Sequence, residues 1–122
     1  MQDFRKLTVW QVSRGLAKSV YAVTAGYPNS ELFGLSAQMR RAAISVCSNI
    51  AEGCGRGSDP DFRRFLYAAM GSACELESET ILSLDLALLK TPTHDRLVDT
   101  ISEVKRMLTG LIKSLGKPRA ES

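Results

Sequence analysis

Residues 39–79 read MRRAAISVCSNIAEGCGRGSDPDFRRFLYAAMGSACELESE, and this stretch decides the fold. Apolar residues recur every three or four positions on both sides of a glycine-rich turn, the spacing of one face of an α-helix. Small residues crowd both halves: Ala42, Ala43, Ser45, Ser48 and Ala51 before the turn, Ala68, Ala69, Gly71, Ser72 and Ala73 after it. Two helices lined this way can pack closely. Arginines gather at the turn, and no catalytic constellation accompanies them. The combination predicts an all-α assembly or binding protein, not an enzyme.

The helix before the turn is expected from about Ser36 to Gly53, with Met39, Ala42 or Ala43, Val46 and Ile50 as its stripe. Gly53, Gly55 and Gly57 close it, as glycines past a helix end commonly do. The helix after the turn opens at Ser58 or Asp59. Pro60 suits its first position, where a missing N–H loses no partner. Phe62, Leu66, Ala69, Ala73 and Leu76 follow close to a heptad, and the helix is expected to reach Leu88 or Leu89. Upstream, Val9, Val12, Leu16, Val20 and Val23 mark a helix from about Leu7 to Ala25, ended by Tyr27-Pro28-Asn29. Downstream, Thr91-Pro92-Thr93 restarts the chain. A last helix is expected from about Asp95 to Leu115, with Leu97, Ile101, Val104, Leu108, Leu111 and Leu115 inward.

Four helices joined by short loops predict a single antiparallel up-down-up-down four-helix bundle over residues 1–122. Gly71 in a helix interior costs about 1 kcal/mol relative to alanine. Close approach of another backbone is therefore expected there, from the preceding helix or from another subunit. Phe65, Tyr67 and Met70 widen the apolar surface of the third helix, and Leu82, Leu84, Leu86, Leu88 and Leu89 surround its end. A helix apolar all round is buried all round, so a homo-oligomer is expected.

A chain of 122 residues buries enough surface for a real core. No apolar run approaches the ~20 residues that span a bilayer, and MQDFRKLTVWQ has no secretory h-region, so a cytoplasmic location is expected. Cys47, Cys54 and Cys74 are odd in number and form no CxxC pair, the pattern of reduced thiols acting as small core residues. The net charge of +3 is uneven. Residues 1–64 carry nine basic side chains against five acidic, while the remainder carries seven against eight. Such polarity lets one surface attract a polyanion.

Gly53-Cys54-Gly55-Arg56-Gly57-Ser58 has no preceding strand and no Gly-Lys-Ser/Thr ending, so it reads as a helix-ending turn rather than a nucleotide loop. Its N–H groups beside Arg56 can still hold a backbone phosphate at a helix N-terminus. Arg40, Arg41, Arg56, Arg63 and Arg64 form the expected anion-binding set, in two patches per monomer. Structural pairing competes for each of them. Arg41 has Glu75, Glu77 and Glu79 as expected partners, and Glu52 has Arg63 or Arg64. Asn49 and Glu52 share a face and are expected to fix packing and register. Glu75 and Glu79 lack the Glu-x-x-His companions of a di-iron bundle, and His94 is the only histidine, so neither metal nor cofactor is expected. Trp10 is expected to be a core or interface anchor.

FRKLTVWQ at Phe4–Gln11 and ELFGLSAQMRRAAISVCSNIAEGCGRGSDPDFRRFLYAAMGSACELE from Glu31 carry a family resemblance. They look like the four-helix-bundle proteins encoded in intervening sequences of 23S ribosomal RNA genes. Arg-Arg-Ala and Asn-Ile-Ala-Glu-Gly are the specific elements, and the match runs from Phe4 to about Leu89. The family elements fall on Gln38, Arg40, Arg41, Asn49, Glu52, Gly53, Arg56, Phe62, Arg64, Phe65, Gly71, Glu75 and Glu77. The resemblance implies a ring-like homopentamer and, for most members, nucleic-acid binding. The family is similar to the accessory variability determinant of diversity-generating retroelements, which implies RNA or DNA and a reverse transcriptase as partners. The expected function is thus a non-enzymatic nucleic-acid-binding accessory protein, with a protein-interaction scaffold as the alternative.

Overall fold

The computed structural model describes residues 3–115. Among these residues the chain forms four α-helices and no strand: α1 Thr8–Thr24, α2 Leu35–Cys54, α3 Asp59–Asp85 and α4 Thr91–Leu115. Helix α1 packs on α2 and α4, and α3 packs on α2 and α4, an arrangement consistent with a four-helix bundle. The most extensive pairing is α2 with α3, the two helices lined with small residues.

Helix α3 shows how the sequence makes the core. Phe62, Leu66, Ala69, Ala73, Leu76, Thr80 and Ser83 are its buried positions, an unbroken seven-residue repeat. The polar pair continues the stripe because each hydroxyl is satisfied inside the fold. Thr80 donates to the Leu76 carbonyl at 2.8 Å, and Ser83 contacts the Met39 sulfur at 3.4 Å. In α1 the buried line is Val9, Ser13, Leu16, Val20 and Thr24, turned slightly from the expected valine stripe. Ser13 and Thr24 donate to the carbonyls of Val9 and Val20, both at 2.7 Å, so their burial leaves no orphan hydroxyl.

Helix ends follow local chemistry. Ser58 caps α3 by accepting from the Asp61 N–H, and Pro60 sits in the first turn. Glu31 Oε1 accepts from the Leu35 N–H at 3.2 Å, placing an anion at the positive end of α2. Helix α3 stops at Asp85, short of the expected Leu88 or Leu89. The Leu88 N–H bonds the Ser83 carbonyl at 2.9 Å, and the Ala87 N–H bonds the Leu84 carbonyl at 3.0 Å. Together with a φ of 60° at Ala87, this is a Schellman closure. It frees Leu88 and Leu89 to fold back onto the core. Helix α4 then begins at Thr91, before the expected Asp95, because Pro92 is accommodated within its first turn.

Two glycines differ from expectation. A Cβ on Gly53 would stand 2.9 Å from both Phe62 Cδ1 and Phe65 Cβ, whereas one on Gly71 would meet nothing within 4 Å. The close helix approach is therefore at Gly53, and Gly71 faces outward.

Candidate nucleic-acid interface

The α2–α3 turn holds three of the five expected arginines, and each is engaged locally. Arg56 pairs with Glu52 at 3.0 Å and Arg64 with Asp61 at 3.4 Å. Both guanidinium groups lie against the Phe65 ring, 4.8 and 4.6 Å from its centroid. Arg63 donates to the Leu115 carbonyl at 2.8 Å, where a cation meets the negative end of α4. Glu52 thus pairs with Arg56 and not with Arg63 or Arg64. Its exposed carboxylate serves the turn rather than the packing.

Arg40 and Arg41 lie elsewhere. Arg40 donates to Thr24 Oγ1 at 2.8 Å and to the Tyr21 carbonyl at 3.4 Å, closing the C-terminus of α1. Its guanidinium sits 4.6 Å from the centre of the Tyr21 ring. Arg41 is exposed and forms no ion pair among the described residues. The expected partners are occupied or too far away. Glu77 pairs with Lys105 of α4 at 2.7 Å. Glu79 feels Arg41 only through space, and its pKa is pushed up to about 7 by burial first and by the neighbouring Glu75 second, against the opposing charge of Arg41.

Between α1 and α2 runs a groove of about 520 Å³ with Trp10, Ala17, Tyr21, Ile44 and Cys47 in its floor. Arg14 and Lys18 stand at its rim, Arg14 5.7 Å from the Trp10 ring centroid. A second hollow of about 500 Å³ shares Tyr21 and Ile44 and reaches Leu32, Phe33, Arg40 and Arg41. The two form one apolar strip edged by four cations. None of the four forms an ion pair among the described residues. Arg14 and Lys18 escaped the sequence reading because each stands singly among apolar and small residues, away from the arginine-dense turn. The signal was present: Trp10, Arg14, Ala17 and Tyr21 recur at four, three and four residues, one helix face.

The remaining expected site residues are structural in part. Asn49 donates to the Ser45 carbonyl at 2.9 Å, and Ser45 joins Ser72 across the α2–α3 contact at 2.8 Å. Glu75 and Gly71 are exposed on the outer face of α3. Tyr67, Ile81, Leu82 and Leu86 share that exposed side, Tyr67 at 59%. Cys54 is in the core, as expected for a small apolar residue, but Cys47 lines the groove and Cys74 is exposed. Among the described residues no three His, Cys, Asp or Glu side chains come together as metal ligands.

The profile of the 23S rRNA-intervening sequence protein family matches residues 5–110. The chain belongs to that family. The match extends well into α4, further than the sequence elements from Phe4 to Leu89 alone. A crystal structure of an S23 ribosomal protein family member of unknown function from Bacteroides thetaiotaomicron is similar in fold. It is 23% identical, with 87% of this chain and 99% of that chain covered and a TM-score of 0.79. No curated protein matches the chain significantly. No helix among the described residues of this intervening-sequence family member is long and apolar enough to cross a membrane.

Proposed function

We propose that this chain is a cytoplasmic, non-enzymatic accessory protein that binds the backbone of RNA or DNA as a homo-oligomer. Four cations carry this reading: Arg14, Lys18, Arg40 and Arg41 edge one groove with no carboxylate paired to them among the described residues. Free cations on one strip attract phosphates and release counterions. The arginines of the α2–α3 turn contribute less, because acids already neutralise Arg56 and Arg64. Arg63, like Arg40 in the groove, is held at a helix C-terminus, so Arg14, Lys18 and Arg41 carry most of the free charge.

An antiparallel up-down-up-down bundle fits the contacts of α2 with α3, where Gly53 meets Phe62 and Ser45 meets Ser72 while Met39 meets Ser83. A ring-like homopentamer suits the outer side of α3, where Tyr67 is exposed one turn before the open Gly71 and Ile81, Leu82 and Leu86 are exposed at the helix's far end. A ring repeats each groove around its axis, and repeated weak phosphate contacts gain strength together. The second reading is a scaffold that docks a protein such as a reverse transcriptase. Phe33, 90% exposed beside Leu32 at the end of the strip, favours it.

The test is binding of labelled RNA and duplex DNA at low and physiological salt, with the oligomeric mass measured on the same sample. Binding that falls steeply with salt supports the polyanion role. An oligomer that ignores both nucleic acids sinks it and directs attention to protein partners.

A further inference from the structure

We propose that the α1–α2 groove is a track for single-stranded nucleic acid, with unpaired bases against its apolar floor and phosphates on its cationic rim. The proposal rests on the polyanion reading above and names the form of polymer. A surface made for duplex needs cations alone, because duplex bases are stacked away and phosphates face out. Here the cations stand over an apolar floor instead, about 520 Å³ in volume and continuous with a second hollow of about 500 Å³. Single strands present flat apolar faces and charged phosphates side by side, and the proteins that hold them combine aromatic platforms with a basic groove.

The aromatic residues are placed for this. Trp10 and Tyr21 are eleven positions apart on α1, about 16 Å along its axis, and both line the groove. Each carries an arginine against its ring, Arg14 on Trp10 and Arg40 on Tyr21. A guanidinium plane stacks on a base and binds phosphate at its edge, which lysine cannot do. The polymer requires no base code, since every base has a stacking face.

Trp10 is the only tryptophan, so its emission reports on the groove alone. The protein is titrated with oligo(dT) and oligo(rU) of about 15 nucleotides, a duplex of equal length, and inorganic polyphosphate, with mass followed by light scattering. Single strands are expected to quench Trp10 and to bind about tenfold more tightly than duplex. Tyr21→Ala and Ile44→Asp should each weaken single strands about tenfold, while Tyr21→Phe retains binding. Equal binding of duplex without quenching overturns the track and leaves the polyanion reading standing. Binding of none of the polymers overturns both. Unchanged binding by Ile44→Asp with a fall in oligomeric mass assigns the groove to a second copy of the chain and overturns the proposal.

Discussion

Arg56 and Arg64 at the α2–α3 turn and Arg14 and Arg40 along the α1–α2 groove all stack on aromatic rings. The turn places an acid within 3.4 Å of each guanidinium, on the same helix or one turn away. The groove places none. Arginine density in the sequence therefore points to the turn, while uncompensated charge accumulates in the groove. Exposed ion pairs add little stability, typically below about 1 kcal/mol. What the pairing at the turn removes is free positive charge, and free charge is what a polyanion reads.

The largest expected effect breaks the comparison directly. Replacing Arg14, Lys18 and Arg41 together with alanine should weaken single-strand binding about a hundredfold at low salt and lower the salt slope by about 2. The Arg56→Ala, Arg64→Ala double variant should change it only a few-fold. Anisotropy titrations across a salt series decide, and a reversed order would return the interface to the turn.

A stability effect sharpens the other half. If the turn is chiefly a packing device, Gly53→Ala should cost about 2 kcal/mol, because Phe65 Cβ, attached directly to the backbone, cannot retreat from a new methyl group. Gly71→Ala should instead gain about 0.5–1 kcal/mol in the isolated bundle, since a Cβ there would meet nothing within 4 Å; a loss would place another subunit against Gly71. Urea melts of the two variants should move in opposite directions. A comparable local gain, about 1 kcal/mol, is expected for Ala87→Gly, which relieves a left-handed backbone at the Schellman closure.

A pH effect concerns Arg41. Glu79, with its folded-state pKa raised to about 7 chiefly by burial, binds its proton more tightly in the folded protein than in the unfolded chain. Its contribution to stability is then full below the ordinary carboxylate range and lost as pH rises through about 7. Glu79→Gln should flatten that decline in melts between about pH 5 and 8. If Arg41 were held by Glu79, the carboxylate would titrate low and the decline would be absent, and Arg41 would leave the set of free cations.

Much of the fold was legible because burial imposes a period on the chain. Leu97, Ile101, Val104 and Leu108 were readable in α4, yet the next buried residue is Ile112 rather than Leu111. A straight helix drifts about 20° per heptad, so near the end of α4 the buried line passes to Ile112 while Leu111 and Leu115 stay partly buried against the core. Thr80 and Ser83 were passed over because a polar side chain in a core is tolerable only with a partner, and the partners are a carbonyl and a methionine sulfur. The Schellman closure at Ala87 was hidden for a similar reason: glycine, not alanine, usually marks that conformation.

The sequence by itself determined four helices, the family and the apolar stripes, because helix periodicity and capping are local properties. Only the tertiary structure decided which arginines are free, which glycine is pressed against a neighbour and where an apolar strip meets unpaired cations. Those depend on side chains brought together from separate helices. Arg40 reaches back sixteen residues to Thr24, and Arg63 reaches across fifty-two to Leu115. Charge is counted along the chain, but whether it is compensated is settled only in space.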